Sequence, residues 1–287
     1  MQLLANIAID GLAYGMVLFI ISVGLSVTLG LMRFINLAHG GFAMWGGYVC
    51  AWLVRVQGWS FGGGLVTAVV ATGMLGAVLE VLVMRRLYRR GELPQVLFTI
   101  GLTFLMIASV NLLWGPEVQL IPLPGWLTAP VDLGFRTLPA QRLLVLAVGL
   151  GVVLVSAWAM HFTRFGIWLR AAVDNTATAS TLGIAVEHVQ VTTFALGAAL
   201  AGLGGILGAE LMPLEPYYPI KYLVLVLVVV SVGGMGQITG SLVAALTLGI
   251  IETTSKYLAS DWGSLFFFLA MAVLLAWRPQ GLLLRKA

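Results

Sequence analysis

The chain has 287 residues, of which 60% are apolar and only 9% charged, whereas soluble domains run nearer ~45–50% and ~25%. Fifteen basic and eleven acidic side chains cannot screen that much apolar surface from water. The composition excludes a soluble enzyme, a nucleic-acid binder and a disulfide-stapled secreted domain. It predicts a polytopic membrane protein, with room for about eight or nine spans at roughly 20 residues per crossing. The net charge of +4 has an ordinary origin, because Lys and Arg accumulate in cytoplasmic loops and set orientation.

In chain order, a first apolar stretch covers about 7–30. No Lys or Arg precedes Arg33, so the charged region of a cleavable signal is missing. The tract 31–41 brings Arg33, Asn36 and His39 and breaks the run before a shorter, Gly-rich span at about 41–57. Cys50 is the sole cysteine and reads as a packing residue. A third span covers about 61–84. Arg85, Arg86, Arg89 and Arg90 then mark the cytoplasm. A fourth span at about 94–114 leads to 115–141, which holds five prolines and few bases and is expected outside. A fifth span at about 142–162 returns the chain to a cytoplasmic segment, 163–190. Spans at about 191–211, 221–235, 241–257 and 262–277 follow, with Arg278, Arg285 and Lys286 behind them.

The parity puts the C-terminus inside and the N-terminus outside. A re-entrant 31–41 would change the count to eight or ten and move the N-terminus inside. Every span must be helical, because lipid cannot satisfy open backbone groups. Runs such as 222–234 do not alternate as barrel strands would. The expected fold class is therefore all-α, a polytopic membrane helix bundle of about eight to ten transmembrane helices.

Among 35 glycines, the sixth span carries Ala198 and Gly202, Ala201 and Gly205, and Gly204 and Gly208 at four-residue spacing. Such stripes let helices approach closely. No Gly-Lys dipeptide occurs, so there is no Walker motif, and no GxSxG or HExxH pattern exists. His39, His161 and His188 have no ligand spacing, and no metal or cofactor is expected.

Ionisable groups inside spans are functional candidates by default. Asp10 and Glu210 lie near span ends and are expected to reach the interface. Glu80 is expected to pair with Arg85 or Arg86. Glu252 is deeper, with Lys256 four residues on, a favourable helix pair. The lack of a buried chain of acids weakens a proton-coupled carrier. Asn36, His39 and Gly40 fit either a pathway or a plain inter-helix turn. In 163–190, Asp174 is expected to cap a short helix ending near Gly183. That segment fits either a solvated loop or a docking knob for a soluble partner.

Four groups of residues carry a resemblance spread over nearly the whole chain. The first is Gly24-Leu25 to Gly30, Ile35 to Gly40, Met44 and Gly47-Tyr48. The second is Thr163 to Gly166 with Arg170-Ala171, Asn175, Ala179 and Gly183-Ile184. The third is Gly197 to Gly202 with Gly205. The fourth is Gly233 to Gly236 with Gly240-Ser241, Gly249 and Glu252, closed by Arg278-Pro279-Gln280-Gly281-Leu282. Together they resemble the permease subunit of branched-chain amino-acid ABC importers, the LivH type. Departures are mild: Leu37 for the usual Phe, Gly47 for Ala, and Ser231-Val232 where Leu is common.

The resemblance implies a single permease domain, 1–287, of the type II importer kind in a bacterial inner membrane. It implies four partner components: a second permease (LivM type), two cytoplasmic ATP-binding subunits and a periplasmic binding protein. It makes 163–190 a coupling element, with Arg170, Asp174, Asn175, Ala179 and Gly183 at the ATPase contact, and 115–141 a periplasmic loop. Asn36, His39, Gly40 and Glu252 become candidates for the translocation pathway. Urea, short-chain amides or small organic acids are alternative substrates within the same architecture. A stand-alone secondary carrier is a further alternative.

Overall fold

A computed structural model describes residues 2–32, 35–88, 90–132, 134, 137–259 and 262–277. Arg33, Arg89, the 278–282 motif, Arg285 and Lys286 lie outside the described residues.

The chain is helical nearly throughout. α1 runs Gln2–Met32, α2 His39–Arg55 and α3 Phe61–Leu79, the last continuing through a π turn at Glu80–Met84 to Leu87. Then come α4 (Glu92–Trp114), α5 (Ala140–Phe162), α6 (Arg164–Asp174) and α7 (Thr176–Thr181). The last four are α8 (Val186–Leu207), α9 (Tyr218–Gly233), α10 (Ile238–Leu258) and α11 (Gly263–Trp277). Helices fall in all nine places where spans were expected. Six of them, α1, α3, α4, α5, α8 and α10, are long and apolar enough to cross a membrane by length and composition. The other three, α2, α9 and α11, have 17, 16 and 15 residues, short of the ~20 needed for a straight crossing.

Two of the short helices lose their first turn to local chemistry. Before α2, the turn at 35–38 is closed by the Asn36 side chain, whose Oδ1 accepts from the Ala38 amide at 3.1 Å. Before α9, Pro216 bends the chain, and Pro219 sits in the first helical turn, where its missing N–H is harmless.

α1 is the central post. Of its apolar window, 78% is buried inside the protein, against 17% for α5, which turns most of its surface outward. At 31 residues and ~1.5 Å per residue, α1 exceeds a ~30 Å hydrocarbon core, so it tilts or projects. The expected glycine stripes of α8 are packing seams against three neighbours. A Cβ on Gly46 of α2 would stand 2.5 Å from Gly202 Cα, and one on Gly24 of α1 would stand 2.6 Å from the Gly197 carbonyl. Gly204 and Gly208 take Ile21 and Val17 of α1. Where lipid tails are as apolar as the side chains, such close backbone contact supplies much of the cohesion.

The proline-rich segment after α4 carries local structure among its described residues. It contains a helical turn, Gly125–Thr128, and a short hairpin of β1 (Pro130–Asp132) and β2 (Thr137–Pro139). The strands pair antiparallel with Val131 opposite Leu138. Leu127 and Leu138 are buried, which anchors the hairpin on the bundle. A bridge from Gln119 to Leu214 ties this segment to the loop before α9. This scrap of sheet leaves the all-α class intact.

Candidate functional site

Within the segment 163–190 the chain forms two short helices, α6 and α7, joined at Asn175, before α8 begins. Thr163 caps α6, its Oγ1 accepting from the Gly166 amide at 3.2 Å. α6 is amphipathic: Leu169 and Ala172 face the protein, while Ile167, Trp168, Arg170 and Asp174 face out. Arg170 donates back to the Met160 carbonyl at the end of α5. Asn175 breaks the helix in an extended conformation and caps α7, its Oδ1 accepting from the Thr178 amide at 3.0 Å. The expected cap at Asp174 is therefore corrected by one residue: Asp174 ends α6. A cap needs non-helical backbone dihedrals, which Asn175 has and a last helical residue lacks.

α7 carries polar side chains around nearly its whole circumference, with Ala179 as its one buried residue. Ala179 joins Leu31, Leu169, Ala172, Val186 and Val189 in a small apolar cluster. That cluster fastens both short helices to the ends of α1 and α8. Gly183 has φ +83, in the left-handed region that favours glycine, and turns the chain into α8. Of the expected contact residues, Arg170, Asp174, Asn175 and Gly183 are exposed and Ala179 is not. Ala179 is a positioning residue inside the protein. One residue, Leu182, escaped the sequence reading. Leu182 is 75% exposed, and with Trp168, Gly183 and His188 it lines a notch of about 280 Å³. An apolar residue projecting from an otherwise polar tract was the available signal.

The neighbouring end of α3 is locked to this region. Arg85 Nη1 pairs with Glu187 Oε2 of α8 at 2.8 Å. Glu80, fully buried beside the π turn, does not take Arg85 or Arg86 as its hydrogen-bond partner. It accepts from the Tyr88 hydroxyl, because the π turn carries Tyr88 back over it. Burial and the Glu80 charge raise the Tyr88 hydroxyl above its ordinary range. π turns recur at functional sites.

The pathway candidates are placed as follows. His39 is buried and its Nε2 lies 2.8 Å from the Ile21 carbonyl of α1. Asn36 is buried in its own turn, and Gly40 faces the Pro219 backbone, where a Cβ would stand 3.0 Å from Cα. These three hold α2 between α1 and α9. Glu252 lies elsewhere, on α10. Its Oε1 pairs with Lys256 Nζ at 2.7 Å, the pairing the i, i+4 spacing called for.

Asp10 lies near the start of α1. It is buried, paired with Arg142 of α5, and accepts from the Tyr257 hydroxyl of α10 at 2.7 Å. Glu210 follows α8 beside Gln141; burial raises its carboxyl above the usual 4.5, with Arg142 opposing. No group of three or more potential metal ligands occurs among the described residues.

Six helices long and apolar enough to cross a membrane fit a polytopic membrane protein, and comparison with known proteins agrees. Residues 7–276 match the family described as "Branched-chain amino acid transport system / permease component". The chain is 25% identical to the high-affinity branched-chain amino acid transport system permease protein LivH of Escherichia coli K12, over 96% of this chain and 93% of that protein. It is 26% identical to a probable branched-chain amino acid transport permease LivH of Methanocaldococcus jannaschii, over 88% and 82%. It is 27% identical to E. coli K12 LivM, over 93% and 68%. No solved structure matches. With nearly its whole length matched, the chain belongs to the permease component family of branched-chain amino acid transport systems.

Proposed function

We propose that the chain is one of two permease subunits of an ATP-driven importer for branched-chain or related neutral amino acids. It forms half of the translocation pathway as one transmembrane unit, 1–287, in a bacterial inner membrane with its C-terminus in the cytoplasm. Its partners are a second permease of the LivM type, two cytoplasmic ATP-binding subunits and a periplasmic binding protein that meets the 115–141 side. The sequence carries no Walker motif, so ATP chemistry belongs to the partners.

The observation that carries this reading is the pair α6–α7. A short polar helix has no use for lipid, yet it is capped at Asn175 and fastened through Ala179 rather than left as a loop. A rigid element transmits a push; a floppy one absorbs it. The exposed Arg170, Asp174, Asn175, Leu182 and Gly183 surface would seat in the ATP-binding subunit, with Leu182 and the adjacent notch giving it an apolar key. Closure of the ATPases would move α6–α7, and α1 and α8 would follow through their shared apolar cluster. The Arg85–Glu187 pair would bring α3 along. Glu252 lies on the pathway side in this reading, and Asn36, His39 and Gly40 shape its wall by fixing α2.

The test is purification of the chain with its operon partners in mild detergent, followed by reconstitution. ATP-binding subunits should co-purify, and uptake of a branched-chain amino acid should require ATP and binding protein. Transport by this chain alone on an ion gradient would overturn the reading in favour of a secondary carrier.

A further inference from the structure

Glu252 does more than a helix salt bridge requires. It lies six residues before the end of α10 and is 8% exposed. Lys256 engages Oε1 only. Oε2 is fully shielded and has no hydrogen-bond partner among the described residues. A carboxylate oxygen buried bare is costly, and such groups in native proteins call for an explanation. An exposed Glu–Lys pair would have stapled the helix equally well.

Its surroundings supply the explanation. Tyr14 of α1 and Tyr222 of α9 are electrostatic neighbours of the Glu252 carboxylate. The Tyr14 ring lies 5.7 Å from Lys256 Nζ, and the Tyr222 ring lies 5.6 Å from Lys221 Nζ, so both rings already sit against cations. The two lysine side chains are about half exposed, at 56% for Lys256 and 51% for Lys221. Lys221 is held in turn by Glu215 at 2.5 Å. One buried acceptor, two aromatic rings and the accessible Lys256 ammonium, from three helices, are thus grouped around Glu252. That set complements a zwitterion: an ammonium takes a carboxylate and π faces, and a carboxylate takes a lysine.

We propose that Glu252 Oε2, with Tyr14 and Tyr222, is a binding subsite for the α-ammonium of the transported amino acid, and that Lys256 takes its carboxylate. Lys256 is the entry, because its exposed side chain can swing off Oε1 and open the carboxylate to a ligand. The inference rests on the amino-acid reading above and adds the residues that recognise the head group.

The experiment measures equilibrium binding of radiolabelled L-leucine to the complete transporter in nanodiscs, without the binding protein. The wild type should bind leucine, and its 2-oxo analogue, which lacks the ammonium, should not compete. Glu252→Gln keeps the shape and removes the charge; it should weaken binding about tenfold, the worth of one charge-assisted hydrogen bond. Tyr222→Leu should weaken it about threefold through loss of a cation–π face. Wild-type affinity in Glu252→Gln, no leucine binding by the wild type, or effective competition by the 2-oxo analogue would overturn the subsite. Should Glu252→Gln not assemble, undiminished binding by Tyr222→Leu overturns it instead. The functional reading fails by a separate sign, absence of neutral amino-acid uptake by the wild-type transporter with its binding protein. Uptake that persists in Glu252→Gln at the wild-type KM removes the subsite alone.

Discussion

At the scale of single residues, the few ionisable groups within the helices explain themselves once their partners are visible. Asp10 is the clearest case. Burial alone would disfavour its charge, yet Arg142 and Tyr257 reach it from α5 and α10 and make it a three-helix tie. Removing one partner of a buried ion pair strands the other, at a cost of about 3 kcal/mol or more. Asp10→Ala should therefore lower the thermal midpoint in detergent, and Asp10→Ala with Arg142→Ala should recover part of the loss. A double-mutant cycle followed by scanning fluorimetry checks this, and additive losses would sink it. Gly46 and Gly24 make the complementary point, since each is glycine because another backbone occupies the space of a Cβ.

At the scale of elements, α7 is a six-residue helix that could not persist alone, because isolated helices below about 12–15 residues are marginal in water. Its Asn175 cap and its Ala179 anchor hold it. Asn175→Ala should cost about 1 kcal/mol locally. Ala179→Phe should do more, because a ring cannot enter the cluster of Leu31, Leu169 and Val189 and must lever α7 off the bundle. In the reconstituted transporter, Ala179→Phe should reduce uptake about tenfold while ATP hydrolysis persists, a loss of roughly 1.4 kcal/mol in coupling. Unaltered uptake would remove α7 from the coupling role. The π turn of α3 belongs at this scale too, as it lets one helix bury Glu80 under Tyr88 and still aim Arg85 at Glu187.

At the scale of the whole molecule, burial is graded from the centre outward. α1 is enclosed, α8 is largely so, and α5 shows most of its surface to the surroundings. Local opening follows such gradients, since segments with few buried contacts exchange first. Hydrogen–deuterium exchange in nanodiscs should show slowest exchange along α1 and the glycine-seamed half of α8. It should be fastest in 174–185 and around the 130–139 hairpin. Protection of 174–185 as strong as that of α1 in the isolated chain would contradict this gradient.

Much of this was legible in the residues themselves. The apolar runs located all nine main helices, because lipid leaves a backbone no option but the helix. The motifs carried the family, and Gly183 was readable as a turn because only glycine is comfortable at that φ. The Glu252–Lys256 pair followed from i, i+4 spacing, a property of one helix. Everything that depended on two helices meeting was decided by tertiary structure. The burial of Asp10, the inward face of Ala179 and the bare oxygen of Glu252 share one reason. Along the chain, spacing determines which residues share a helix face; only packing determines what that face meets.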